Sequence, residues 1–324
     1  MSDLETSVVL MLKSRGMYIT REEMSRELGL SASGLDGAIE GLRSRGYRID
    51  EVPGQGFRLV DVPGILDDCE LKTALSTGIM GRGIFPFGQV SSTNDVAFSL
   101  ARSGSPEGTL VIAEEQTRGK GRLGRAWHSP PGLGLWFSII LRPEIAAYES
   151  ATVSLGVALA VAGVLRDAYG IDARIKWPND VLVGRRKICG ILTEAEFRGG
   201  NVEFVVVGAG INVLHEATDF PGELRTIATS IAMESGAEVN RVDVLSRVLG
   251  EVEEKYGRLC RNGFADVRRE ILPLSSLMGK MVRVEGGNGI TEGVAVDIDE
   301  TGALVLRREN GLNERVVAGE ATLI

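Results

Sequence analysis

Residues 116–127 read Gln-Thr-Arg-Gly-Lys-Gly-Arg-Leu-Gly-Arg-Ala-Trp, a run that interleaves cations with glycines. Glycine leaves backbone amides open to close approach by an anion. Arg118, Lys120, Arg122 and Arg125 can neutralise that anion, and arginine forks paired donors onto phosphate oxygens. Gly119, Gly121 and Gly124 formally fit the dinucleotide fingerprint, but that motif needs a helix directly after its glycines. His128-Ser129-Pro130-Pro131-Gly132 follows instead, and such a segment is poor material for a helix. No Walker spacing is present. The favoured reading is a mobile anion-binding loop; a solvated basic loop is the competing one. Trp127 is either a nucleotide contact or a rigid core anchor.

Other segments carry chemistry of the same kind. In Lys176-Trp177-Pro178-Asn179-Asp180, Lys176 can stabilise phosphate charge as it builds in a transition state. Asp180 can hold a hydrated magnesium ion. The same residues also make ordinary turn chemistry. Lys187 stands where a hairpin enters an apolar strand, as an anion contact or a snorkelling lysine. Gly190 permits close approach of a ligand or another backbone. Cys189 reads as a small packed hydrophobe, because no histidine is near it in sequence. Gly208-Ala209-Gly210-Ile211-Asn212 ends an apolar strand and places an amide beyond it, as a contact or a simple turn. Ser91-Ser92-Thr93-Asn94 suits hydrogen bonding to a neutral polar ring, and equally a helix cap.

These segments need elements to hold them. Residues 4–14 have helical apolar spacing. Thr20 with Glu23 forms a capping box for a helix to Leu28, and Gly29 supplies a left-handed turn. Ser31 caps a second helix with Leu35, Ile39 and Leu42 on one face, ended by Gly46. Two strand-like runs around Pro53-Gly54-Gln55-Gly56 complete a winged helix-turn-helix. Residues 61–68, with Pro63 and Gly64, read as a linker, and 71–77 as a helix. Strands are expected at 110–113, 135–141, 174–177, 181–183, 191–197 and 202–207, with helices at 150–169 and 242–260. Strands outnumber helices and tight turns join them, which favours an α+β sheet over regular βαβ winding. Short strand candidates at 281–284, 292–298, 303–306 and 315–317 alternate with turn signals, Gly286-Gly287 among them, and point to a small β-barrel or sandwich.

Composition removes several classes. The 324 residues suggest two or three domains, and 44% hydrophobic residues suffice for a large core. A net charge of -8 argues against wholesale nucleic-acid coating. Cys69, Cys189 and Cys260 form no CxxC pair, which fits a reducing cytoplasm. His128 and His215 are the only histidines, too few for a His-rich metal centre. The start lacks a secretory pattern. The apolar stretch 151–165 is shorter than the ~20 residues of a membrane span and reads as a core helix.

Taken in order, these blocks resemble the bifunctional biotin protein ligases that also repress the biotin operon. The loop GKGRLGRAW is similar to that family's GRGRRGRxW signature, and KWPND, RKICGIL and GAGIN match its other blocks. The resemblance implies a winged helix-turn-helix over 1–62, a catalytic domain over 63–274 with a central mixed sheet like that of class II synthetases, and a small β-barrel over 275–324. It implies ATP, biotin and magnesium as cofactors. Biotin is activated to biotinyl-5′-AMP and passed to a lysine of the biotin carboxyl carrier protein of acetyl-CoA carboxylase. Carried over by motif, Ser92, Thr93, Asn94 and Gln116 bond biotin, with Lys120, Gly121, Arg122 and Lys187 lining the same site. Arg122, Arg125, Trp127, Lys176, Asn179 and Asn212 fall to the ATP side, and Asp180 to the metal. Lys176, Arg122 and Lys187 are the expected catalytic set.

Lys120 and Leu123 stand where the signature has arginine. Lys120 keeps charge without the planar fork, and Leu123 loses a cation. Biotin operator DNA is a further implied partner, gripped by Arg43, Arg45, Arg48 and Arg58. Yet residues 1–60 hold eight cations against nine acids, and Ser31-Ala32-Ser33-Gly34 offers small groups where base edges would be read. Weak DNA binding, or a reading of DNA shape more than of bases, is therefore expected. The family precedent implies a homodimer once adenylate is bound. Two competing readings are a non-catalytic biotin-sensing regulator and a lipoyl ligase.

Overall fold

Helical spacing in the first residues produces α1 (Asp3–Arg15), whose Val8, Val9 and Leu12 are buried. Thr20 Oγ1 accepts from the Glu23 amide to start α2 (Arg21–Leu28), and Gly29 ends it at φ +66°. Ser31 caps α3 (Ala32–Ser44), which buries Leu35, Ile39 and Leu42. The wing is β1 (Arg48–Val52) against β2 (Gly56–Asp61), antiparallel. The helix expected at 71–77 begins earlier, as α4 (Asp68–Ala74). Asp67 Oδ1 takes the Glu70 amide at 2.9 Å and sets that start. Glu70 is itself buried and accepts from Lys13 Nζ at 2.9 Å and Tyr47 Oη at 2.8 Å. Those bonds make α4 part of the first compact unit, which runs through Ala74 rather than to the expected boundary at 62. The second unit is Leu75–Ile324. The computed structural model describes residues 3–62, 64–286 and 289–324; Pro63 of the expected linker and Gly287 of the expected turn lie outside them.

In the second unit, β3 (Ile84–Val90), α5 (Thr93–Arg102), β4 (Leu110–Gln116) and β5 (Gly134–Leu141) come first. Next are α6 (Ser150–Tyr169), β6 (Ala173–Lys176), β7 (Asp180–Val183), β8 (Arg186–Arg198) and β9 (Asn201–Asn212). The sheet order is β3-β4-β5-β9-β8-β7-β6, with β3 parallel to β4 and every other ladder antiparallel. Strand β3 was not anticipated: Pro86 and Gly88 break its pattern, and proline is tolerated there because the strand is an edge. Strand β9 continues through the glycines, beyond the expected strand at 202–207. It runs on to Asn212 because Gly134 of β5 pairs there.

Short helices α7 (Leu224–Ile227) and α8 (Ile231–Ser235) lead to α9 (Arg241–Asn262) and α10 (Ala265–Leu274). One face of the sheet is covered by α6, most of whose residues are buried. Residues 147–169 contain an 18-residue window apolar enough to cross a bilayer, but 72% of that window is buried inside the protein. On the opposite face, α5 packs Ala97 and Ala101 against Val111, Ile140 and Val206. It covers only part of that face, and the uncovered part carries the chemistry. The expected barrel takes the form of a five-stranded antiparallel sheet. It is built from β10 (Met281–Gly286), β11 (Gly289–Ile298), β12 (Leu304–Arg307), β13 (Asn313–Val316) and β14 (Glu320–Leu323), in the order β13-β12-β11-β10-β14.

Candidate functional site

Alternation along a strand puts every second residue on one face. Ser138, Gly208 and Leu192 lie side by side across β5, β9 and β8; Trp136, Gly210 and Gly190 form the next row. Missing side chains on this face make room for two polar assemblies.

The first assembly surrounds Asn94. A Cβ on Gly208 would sit 2.0 Å from Asn94 Oδ1, so only glycine fits beneath that amide. Asn94 Nδ2 donates to Glu194 Oε2 at 2.8 Å, and Ser138 Oγ lies 2.7 Å from Asn94 Oδ1 and 2.8 Å from Thr93 Oγ1. Gln116 Oε1 accepts from the Thr93 amide at 2.9 Å and from its hydroxyl at 3.1 Å. Ser92 occupies the N-cap position of α5 but makes no side-chain cap bond. The expected biotin contacts Ser92, Thr93, Asn94 and Gln116 therefore cluster. Ser138 and Glu194 join them unforeseen. The signal was present: a lone hydroxyl inside the apolar run 135–141 needs a buried partner.

The second assembly is a cavity of about 430 Å³, within the size range of small-ligand sites. It collects Gly121, Arg122, Arg125, Trp127, Lys176, Asn179, Asp180, Lys187 and Asn212. The Trp127 indole lies on the Gly190–Gly210 pair: a Cβ would stand 2.8 Å from it at Gly190 and 2.3 Å at Gly210. Lys187 Nζ is 5.1 Å from the Trp127 ring centroid and 2.7 Å from Asp180 Oδ1. Arg122 donates to Asn179 Oδ1 at 3.2 Å and to the Gly319 carbonyl at 3.1 Å. Burial pulls the Arg122 pKa down, against the opposing pull of Asp180 and Glu320. Arg125 binds Glu320 through both guanidinium ends, one at 2.9 Å, and that bond holds the Glu320 carboxyl below its usual range. Asn179 and Asn212 are buried and anchored, Asn179 Nδ2 to the Ile191 carbonyl at 2.6 Å and Asn212 Nδ2 to that of Thr229 at 2.9 Å.

Some expected residues fall elsewhere. Lys120 is exposed, pairs with Asp95 and does not line the cavity. Arg118 is exposed and outside it too. Cys189 is fully buried and its thiol is pushed up by desolvation. No helix follows the loop glycines; Arg122–Gly124 is one 3-10 turn, with Leu123 itself at φ +57°. Among the described residues no three His, Cys, Asp or Glu groups converge to cage a metal. The wall at Phe220 went unforeseen: His215, pushed down to about 4 by burial, stacks on it at 4.8 Å. In the first unit, Arg43 bonds the Ile49 carbonyl at 3.1 Å, Arg45 faces Glu5 at 3.9 Å and Arg48 faces Asp61 at 3.4 Å. Arg58 lies 4.7 Å over the Tyr18 ring.

Comparison with known proteins agrees with this geometry. Residues 87–212 match the biotin/lipoate A/B protein ligase family, and 277–323 match the biotin protein ligase C-terminal domain. The bifunctional ligase/repressor BirA of Bacillus subtilis is 37% identical over 297 residues, covering 92% of this chain and 91% of that protein. The biotin–[acetyl-CoA-carboxylase] ligase of Paracoccus denitrificans is 36% identical, over 69% of this chain and 93% of its own length. The biotin protein ligase of Aquifex aeolicus, solved with biotin and ATP, superposes with a TM-score of 0.63 at 28% identity, over 75% of this chain and 99% of that one. By its sequence, its sheet and its cation-lined cavity, this chain belongs to the biotin protein ligase family.

Proposed function

We propose that this protein joins biotin to ATP and then passes the biotinyl group to a lysine of the biotin carboxyl carrier protein of acetyl-CoA carboxylase. One observation carries the reading: Arg122, Arg125, Lys176 and Lys187 share a cavity with Trp127. A carboxylate must approach a polyanion, and fixed cations offset their repulsion. In the first step the biotin carboxylate oxygen bonds to the α-phosphorus of ATP, and pyrophosphate leaves with the bond it breaks. In the second, the carrier lysine amine attacks the activated carbonyl, AMP departs, and the amine loses its proton.

Ser92, Thr93, Asn94 and Gln116 supply donors and acceptors for the biotin ring, with Ser138 and Glu194 holding Asn94. Lys187 takes the biotin carboxylate, and Lys176 the charge at the α-phosphate. Trp127, Asn179 and Asn212 take the nucleoside side. Asp180, which is engaged by Lys187, is the residue that would hold a magnesium ion. That ion would offset charge on the β- and γ-phosphates. Free cysteines at 69, 189 and 260 suit the reducing cytoplasm where this chemistry would run. Incubation of a carrier domain with protein, biotin and ATP should add one biotinyl mass at its lysine; an unmodified carrier rejects the reading. Biotin, and not lipoate, should support exchange of labelled pyrophosphate into ATP.

Arg122 ties the basic loop to Asn179 and to Gly319, across the cavity. Arg122→Ala should still make adenylate but release it, raising biotinylation of bystander proteins severalfold. Unchanged bystander labelling would remove Arg122 from adenylate retention.

The winged helix unit is the proposed contact for biotin operator DNA, as a repressor function requires. Because Arg43, Arg45 and Arg48 already face internal acceptors, few phosphate contacts are available. Binding should be weak, with a shallow salt dependence. A strongly salt-dependent shift of the operator at nanomolar protein, with biotin and ATP, would overturn this. Sheet edge β3 offers a site for a side-by-side homodimer with adenylate bound, whereas the outer side of β6 is engaged by the Ser276 amide on the Ile175 carbonyl at 2.8 Å.

A further inference from the structure

The cavity walls carry five cations, Arg122, Arg125, Lys176, Arg185 and Lys187, against two carboxylates, Asp180 and Glu320. Three of the cations are already engaged: Arg122 by Asn179 and Gly319, Arg125 by Glu320, Lys187 by Asp180. Lys176 and Arg185 remain without an ion pair among the described residues. Lys176 has its place at the α-phosphate under the reading above. Arg185 has none, and no motif drew attention to it.

Its placement is well defined. Val183 pairs with Arg186, so Gly184 and Arg185 form a two-residue hairpin loop, with Gly184 at φ +59°. A glycine-first turn of that length matches the twist of its strands and is stiff. The base of the hairpin is clamped as well. Arg186 pairs with Glu234 at 2.7 Å, and the Thr229 amide donates to the Lys187 carbonyl at 3.0 Å. Of two adjacent arginines, one is neutralised by the protein and the other stands exposed at the cavity wall.

Charge accounting gives that second arginine a task. The triphosphate carries several more negative charges than the single acyl-phosphate group of an adenylate. Cations beyond those that hold the adenylate are needed only while the outer phosphates are present. The basic loop is short of one: Leu123, where the family signature has arginine, is 74% exposed and uncharged. The hairpin between β7 and β8 makes up the deficit from another direction.

We infer that Arg185 binds the β- and γ-phosphates of ATP and the departing pyrophosphate, and takes no part in holding the adenylate. The inference rests on the adenylating role proposed above. Arg185→Gln and Arg185→Lys should be compared with the unaltered protein. Three readouts apply: KM for ATP in biotin-dependent exchange, pyrophosphate affinity by calorimetry, and the affinity of biotinyl-5′-AMP. Arg185→Gln should weaken ATP and pyrophosphate about ten-fold each, as expected for losing a charged hydrogen bond, with Arg185→Lys recovering part. Adenylate affinity should stay within about two-fold. Unchanged pyrophosphate affinity overturns the inference, and so does equal weakening of all three ligands. Pyrophosphate calorimetry needs no turnover. Protein that binds pyrophosphate through Arg185 yet exchanges none would therefore sink the proposed reaction and leave this site standing.

Discussion

Lys176→Ala should slow biotin-dependent pyrophosphate exchange at least about 100-fold, a loss of ~2.7 kcal/mol, by analogy with removing one oxyanion donor. The surroundings argue for an effect of that size. Lys176 ends β6 and lines the cavity with no direct ion pair among the described residues, feeling Glu320 only through space. The next residue, Trp177, is buried, and its Nε1 donates to the Gly302 carbonyl at 2.9 Å. Lys176 therefore stands beside a rigid anchor, so its backbone is fixed at the cavity wall before reaction. The biotin affinity of the variant should change little, because the lost interaction belongs to the transition state. A rate within about three-fold of the unaltered protein would take Lys176 out of the mechanism.

Gly210→Ala should cost about 1–3 kcal/mol of stability through overpacking and raise KM for ATP about ten-fold. The new Cβ would fall 2.3 Å from Trp127 Nε1 and 2.5 Å from its Cε2. The indole has no lower position to take, since Gly190 opposite already lies against it. It must lift from the sheet, carrying with it the end of the basic loop. Gly250→Ala in α9, where a Cβ would meet nothing within 4 Å, is the control and should be neutral or slightly stabilising. Thermal melting and KM for ATP separate the two. An unperturbed KM in the Gly210 variant would show that the Trp127 position does not shape the nucleotide site.

Local rules read well from the sequence where the deciding contacts are local. The caps at Thr20 and Ser31 and the left-handed Gly29 at the end of α2 lie where the spacing put them. Errors arose where a distant partner decides. The start of α4 depends on Asp67 and on buried Glu70 meeting Lys13 and Tyr47. The extension of β9 through Gly208 and Gly210 depends on ladders to β5 and β8, which offset the weak strand preference of glycine. Strand β14, which carries Glu320 to Arg125, had no pattern of its own.

The sequence by itself determined which groups this protein could bring to a reaction: a glycine-spaced basic loop, two separate lysines, and asparagines at strand ends. Residue chemistry and short-range order are properties of neighbours along the chain, so they are legible there. Only the tertiary structure decided which of those cations are spent internally and which are left for a ligand. Glu320, Asp180 and Asn179 take up Arg125, Lys187 and Arg122, while Lys176 and Arg185 face the cavity unpaired among the described residues. Electrostatic pairing falls off with distance in space, not along the chain, and no spacing rule encodes it.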